Sequence, residues 1–291
     1  FAKFSTISYA RVDAHDQDLL PSPLHSDTIV VQRNTAAEHP LVAPCACVTD
    51  KLNVCGPELS ATEKTIASSV LKQYSQCPAK GFISARLLVA TKEPKQIGFS
   101  AADIGILVHA SLQKWFHPSI AADPSQINQW IIDYTHKQRW AWGPTKVQKD
   151  TVAAHISDVV CHWLSTCIAD HQSESNFSWR NEVAIEYSLG PVHLRLRADR
   201  IDYFNDNTCR IIDYKTSQAS RNTWLAPRMD EPQLPLYALG CQQSSCISFA
   251  SLHPMQWGYS GVCTSDSQLN GIVAMHKWHK DAADDWSAQL Q

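Results

Sequence analysis

Charged side chains that alternate along strand-like stretches concentrate the chemistry of this chain. From His193 to Tyr203, Leu194, Leu196 and Ala198 fall on one face, and Arg195, Arg197 and Asp199 fall on the other. An Asn205-Asp-Asn207 turn then leads into Arg210-Ile-Ile-Asp-Tyr-Lys215, which ends with Asp213 and Lys215 on a shared face. Antiparallel pairing of the two stretches brings Asp199 beside Asp213. Two ionised carboxylates at that distance repel, and a hard divalent cation such as Mg²⁺ lets both keep their charge. A lysine two residues past the second carboxylate can orient a metal-activated water and offset charge on a phosphate. Metal-dependent phosphodiester hydrolysis needs little more. Taken alone, Asp-Tyr-Lys is an ordinary strand end with a weak, solvated ion pair.

The surrounding elements decide between the two. Ser60-Ala-Thr-Glu63 has the form of a capping box, and Ile66, Val70, Leu71 and Tyr74 follow at helical spacing, which predicts a helix ending at Cys77-Pro78. Ser100-Ala-Ala-Asp103 opens a second helix with an apolar stripe of Ile104, Leu107, Val108, Leu112, Trp115 and Phe116. Two further helices are expected near 125–140 and 146–170. Glu182 to Leu189 alternates, Gly190-Pro191 turns, and three consecutive antiparallel strands result. A helix near 230–240, strands near 247–252 and 257–262, and a last helix running to Gln291 complete the prediction. Residues 1 to about 60 carry scattered prolines with no sustained period and are expected to be a peripheral or linking segment.

Five elements occur in order: Asp103-Ile-Gly-Ile-Leu-Val-His109, Glu182, Ala198-Asp-Arg-Ile-Asp202, Ile211-Ile-Asp-Tyr-Lys-Thr216 and Gln233-Leu-Pro-Leu-Tyr237. In these the chain resembles the PD-(D/E)XK nuclease superfamily, in its RecB-like exonuclease branch, and in particular the C-terminal nuclease module of bacterial probable DNA repair proteins. The resemblance begins with Ser69-Val-Leu-Lys-Gln-Tyr-Ser-Gln-Cys-Pro78 and runs to the C-terminus. It implies an α/β (α+β) fold, restriction-endonuclease-like, with a mixed central sheet flanked by helices and a helical insertion. The nuclease domain is expected over 61–291, with a helical part at about 61–175 and the catalytic sheet at about 180–255. It further implies metal ligation of Mg²⁺ or Mn²⁺ by His109, Asp199, Asp213 and the backbone carbonyl of Tyr214, with Lys215 as the catalytic lysine. Gln233 and Tyr237 match a Gln-x-x-x-Tyr motif that meets DNA or braces the site, and Arg200 and Glu182 are candidates to steady it. Without the resemblance, His109 on a mostly apolar helix reads as a satisfied core histidine. Some relatives carry an iron-sulfur cluster, but Cys77, Cys241, Cys246 and Cys263 lack the close downstream spacing, and none is expected.

Composition narrows the classes. The 291 residues carry a formal net charge of −3, so nucleic-acid binding must come from local patches. Between 191 and 228, Arg195, Arg197, Arg200, Arg210, Lys215, Arg221 and Arg228 outnumber the acids, and Trp224 beside Arg221 and Arg228 is the leading base-stacking candidate. No glycine-rich phosphate loop or dinucleotide fingerprint occurs, which excludes nucleotide-driven chemistry. No signal peptide or membrane-spanning run is evident. Ten scattered cysteines fit free thiols in a reducing bacterial cytoplasm, and Cys45, Cys47 and Cys55 are only a weak zinc signal. The first residue is Phe1, which suggests a module whose native start lies upstream, working beside a helicase or helicase-like domain. The expected activity is a metal-dependent DNA exonuclease of repair or recombination. A non-cleaving DNA-binding scaffold and a structure-specific endonuclease are the alternatives.

Overall fold

The computed structural model describes residues 60, 65–89, 98–117, 123–140, 143–171, 177–225, 229–267 and 269–278. The Ser60–Glu63 box, the Cys45–Cys55 thiols, the segment before residue 60 and the chain after Trp278 therefore fall wholly or mostly outside the described residues. Strand β1 (Thr65–Ala67) leads into helices α1 (Ser68–Gln76) and α2 (Pro78–Ala85). Helices α3 (Ala101–Trp115), α4 (Pro124–Lys137) and α5 (Lys146–His171) follow. Strands β2 (Phe177–Leu189), β3 (Val192–Phe204) and β4 (Cys209–Lys215) form the expected meander. After a 3₁₀ turn at Arg221–Trp224 come α6 (Gln233–Gly240), β5 (Ser244–His253), β6 (Gln256–Cys263), β7 (Ile272–Ala274) and α7 (Met275–Trp278).

The seven strands make one mixed sheet in the order β1-β3-β4-β5-β6-β7, with β2 also on β3. Strand β3 pairs antiparallel with β2 along its length, with β4 through Arg200–Tyr203, and parallel with β1 through His193–Arg195. Strands β4 and β5 are parallel and central, and both read as nearly unbroken buried runs, as a strand covered on both faces must. One face, with Ile212, Tyr214, Ala250 and Leu252, packs on Leu107 and Leu112 of α3, Ile131 of α4 and Ile156, Val160 and Trp163 of α5. The other, with Ile211, Ile247 and Phe249, packs on Leu234 and Tyr237 of α6.

Several expectations change. The first helix begins at Ser68, and Ile66 belongs to β1, where it pairs with Leu194. Pro78 ends α1 as predicted and then serves as the first residue of α2, a position that needs no backbone N–H. By length and composition Lys146–Asp170 could cross a membrane, contrary to the sequence reading, yet its apolar side is built into the core. Cys246 and Cys263, opposite each other on β5 and β6, form a disulfide where free thiols were expected.

Candidate active site

Helix α3 is started by a reciprocal cap. Asp103 N–H donates to Ser100 Oγ at 3.2 Å, and Ser100 N–H donates to Asp103 Oδ2 at 2.9 Å, which satisfies two donors of the first turn. The helix thus fixed carries His109 to the end of β4. There Nε2 lies 2.9 Å from the Tyr214 carbonyl oxygen, and Nδ1 lies 3.3 Å from Asp199 Oδ1. A carboxylate only accepts, so an imidazole that donates to both partners is an imidazolium. Burial pulls the His109 pKa down, but the bonded Asp199 and the charge of Asp213 outweigh it and leave it raised above 6.5. Asp199 Oδ2 accepts the Tyr214 N–H at 2.8 Å, so the Tyr214 backbone is held at both its N–H and its carbonyl.

The register that sets Arg200 against Ile212 brings Asp199 and Asp213 to the same level of neighbouring strands. Asp213, only 3% exposed, forms an ion pair with Lys215, whose Nζ lies 2.6 Å from Oδ2. Burial pushes the Asp213 carboxyl up to about 6, Asp199's charge adds to the shift, and Lys215 opposes it. For Lys215, burial lowers the pKa while Asp213 and then Glu231 raise it, and the net direction is up. The predicted quartet of His109, Asp199, Asp213 and Lys215, with the Tyr214 carbonyl, therefore meets in one place.

Among the described residues, no three His, Cys, Asp or Glu side chains close around one point as a metal site. His109 bonds the Tyr214 carbonyl, and Lys215 pairs with Asp213. The donor chemistry nevertheless fits a divalent cation: carboxylates, a carbonyl and an imidazole suit Mg²⁺ or Mn²⁺. Both His109 and Asp213 hold their protons more tightly than free groups, Asp213 chiefly through burial and His109 through the neighbouring carboxylates, which outweigh its burial.

The remaining candidates take other positions. Gln233 Nε2 donates to the Tyr237 hydroxyl at 2.6 Å, with Tyr237 buried against the sheet and Gln233 half-buried. Burial raises the Tyr237 pKa to about 12, and the charges of Asp213 and Asp199 act in the same direction. Glu182 forms an ion pair with the exposed Arg197, Oε2 to Nε 2.9 Å. Its φ of 52° lies in the left-handed region at the level of β2 between the pairs Asn181–Arg200 and Val183–Ala198. Here β3 changes phase: Leu194, Leu196, Ala198 and then Ile201 share one core, while Arg200 turns to the other, over the Phe116 ring at 3.8 Å. Asp199 stands at that crossover and does not simply continue the Arg195–Arg197 row.

The basic patch shrinks accordingly. Arg200 and Arg210 are internal, both paired with the buried Asp202. Trp224 is a core residue against Phe249 and Trp278, not a stacking platform, and Arg228 lies outside the described residues. Sequence reasoning missed Lys72 and Glu231, which form an ion pair between α1 and the approach to α6, with Glu231's charge felt at Lys215. The only hint was Lys72 within the Ser69–Pro78 segment.

The chain matches the family model of the PD-(D/E)XK nuclease superfamily over residues 65–265, a span that holds the whole cluster from His109 to Lys215. It belongs to that superfamily, whose members are generally nucleases and usually use divalent metals. No curated protein is matched by its sequence. Among solved structures, SSO0001 is 14% identical, with 70% of this chain and 77% of that chain covered at a TM-score of 0.24. The protein VC1899 from Vibrio cholerae is 13% identical, with 65% and 48% covered at a TM-score of 0.24. Neither likeness is strong enough to bear on the fold.

Proposed function

We propose that this chain is a metal-dependent deoxyribonuclease of the RecB-like exonuclease branch, acting on DNA in repair or recombination. The observation that carries the reading is the meeting of Asp199 and Asp213 on adjacent strands with Lys215 on the same strand end and His109 arriving from α3. Asp199, Asp213, the Tyr214 carbonyl and His109 would hold Mg²⁺ or Mn²⁺, which when bound supplies an acidified water and positive charge at the phosphate. His109 must release its proton before it can ligate. Lys215 keeps a compact ammonium beside the scissile phosphate, where it orients the attacking oxygen and offsets charge that grows on the phosphoryl group. The bonded pair of Gln233 and Tyr237 and the α3 cap hold these groups in place. A helicase or helicase-like partner would feed strand ends to the site.

End-labelled single-stranded and duplex DNA, incubated with the purified chain in Mg²⁺, Mn²⁺ or EDTA beside a covalently closed circle, tests this. The expected result is metal-dependent loss of nucleotides from strand ends and no reaction in EDTA. Efficient opening of the circle would make the enzyme an endonuclease, and inert DNA in both metals would remove the nuclease reading.

A further inference from the structure

Two free thiols face each other at the edge of the α6 core. Cys209 opens β4 and is buried, and Cys241 caps the end of α6 and is half-buried. Their sulfurs lie 3.3 Å apart, although 32 residues separate them in sequence. A disulfide needs about 2.05 Å, so a side-chain adjustment of roughly one ångström would join them. By contrast, the free thiols of Cys161 and Cys167 meet hydroxyls, those of Ser157 and Tyr259.

The backbone holds both thiols in register without a bond between them. Cys241 N–H donates to the Tyr237 carbonyl at 3.0 Å, and the Cys241 carbonyl accepts from Ser244 N–H at 2.8 Å. Cys209 N–H donates to the Gln243 carbonyl at 2.8 Å, and the Cys209 carbonyl accepts from Ser245 Oγ at 3.3 Å. One turn, 241–245, therefore positions both sulfurs. Their reactivities differ. The contact with Cys209 holds the Cys241 thiol below the ordinary thiol range against its burial, whereas the same contact, with burial, pushes Cys209 up. A thiolate is the nucleophilic form of cysteine, so the more exposed Cys241 is also the one able to attack. The Cys246–Cys263 disulfide belongs to the core on the opposite face, and the sheet separates the two pairs.

We propose that Cys209 and Cys241 form a two-electron redox pair that reacts with hydroperoxides, Cys241 as the attacking thiol and Cys209 as the resolving one. The Cys241 thiolate attacks one peroxide oxygen and breaks the O–O bond. Cys241 becomes a sulfenic acid, and the departing oxygen takes up a proton and leaves as water or an alcohol. Cys209 sulfur then attacks Cys241 sulfur, its thiol proton goes to the departing hydroxide, and water leaves as the S–S bond forms. The two thiols lose two electrons and the peroxide gains them. The link joins the start of β4 to the end of α6, and the loop it closes holds Asp213, Lys215 and all of α6. The inference goes beyond the nuclease reading and does not rest on it.

The test is peptide mapping by mass spectrometry of the full chain, before and after hydrogen peroxide and then a thiol reductant. In wild type, peroxide should link the peptides that hold Cys209 and Cys241, and the reductant should release them; a link already present in the purified chain and released in the same way supports the pair equally. In Cys209→Ser the sulfenic acid should persist on Cys241 and be captured by dimedone. Cys209→Ala, which buries no hydroxyl, repeats that arm where the Ser variant fails to fold. In Cys241→Ser, Cys209 should be modified at least about tenfold more slowly than Cys241 is in the other variant. Two thiols that both survive peroxide, a Cys241 linked to a different cysteine, or a Cys209 oxidised as fast in Cys241→Ser would overturn the inference.

Discussion

Two buried carboxylates, Asp202 and Asp213, show how differently one side-chain type is used. Asp202 Oδ2 accepts from Arg200 Nη2 at 3.2 Å and from Arg210 Nη2 at 2.9 Å, and all three side chains are at most 2% exposed. Its removal would leave two guanidinium groups in the core without their carboxylate, so Asp202→Ala should cost about 3–5 kcal/mol in urea unfolding. Asp213 has Lys215, His109 and a second carboxylate nearby, and burial holds its carboxyl above the usual carboxylate range. A similar contrast applies to Tyr237, read from sequence as a residue that meets DNA or braces the site. Its burial predicts that Tyr237→Ala loses about 3–5 kcal/mol of stability, the scale of a deleted aromatic core side chain. Tyr237→Phe should lose far less, and thermal melts beside DNA-binding assays would distinguish this from a substrate role. The residue types of the site were legible because Asp199, Asp213 and Lys215 fall in an ordered set of motifs, and His109 was singled out only through the family resemblance. The inward turn of Arg200 was not, since the phase change coincides with the left-handed Glu182 on the neighbouring strand β2, and no local pattern marks a Glu as such a place.

At the scale of elements, local signals worked where the element is long or capped. The Ser100–Asp103 box, α4, α5 and the β2–β4 meander carry their periods over several turns or pairs. Strand β1 failed because three residues cannot establish a period and Ile66 fits the helical stripe equally well; its strand state comes from His193–Arg195, far along the chain. Strand β7 likewise owes its state to β6. The β5–β6 pairing depends on an absent side chain. A Cβ at Gly261 would lie 2.5 Å from Ser248 Cβ and 2.6 Å from the Ile247 carbonyl oxygen. Gly261→Ala should therefore destabilise by about 1–3 kcal/mol through overpacking, measurable by chemical denaturation.

Over the whole molecule the net charge of −3 conceals where charge matters. In the metal-free protein, the folded-state pKa of Asp213 is about 6 against 3.8, and that of His109 is raised above 6.5. Both groups bind protons more tightly when folded, so their contribution to stability is greatest at low pH. It declines as pH rises, for Asp213 between about 4 and 6 and for His109 from 6.5 upward. A divalent cation replaces those protons. Added Mg²⁺ or Mn²⁺ should consequently raise Tm more at pH 8 than at pH 5, and equal shifts at the two pH values would contradict the assignment of the cluster as the metal centre.

The central claim is that the Lys215 ammonium acts on the reaction and only secondarily on binding or folding. Single-turnover cleavage of end-labelled DNA by wild type and Lys215→Ala, at saturating Mg²⁺ and with DNA affinity measured in parallel, tests it most directly. The loss expected for one preorganised electrostatic group is about 10²-fold or more in rate, with affinity changed far less. Lys215→Arg should also be slow, since a broad planar guanidinium does not replace a compact point charge beside Asp213. A Lys215→Ala protein that cuts at the wild-type rate would contradict the account.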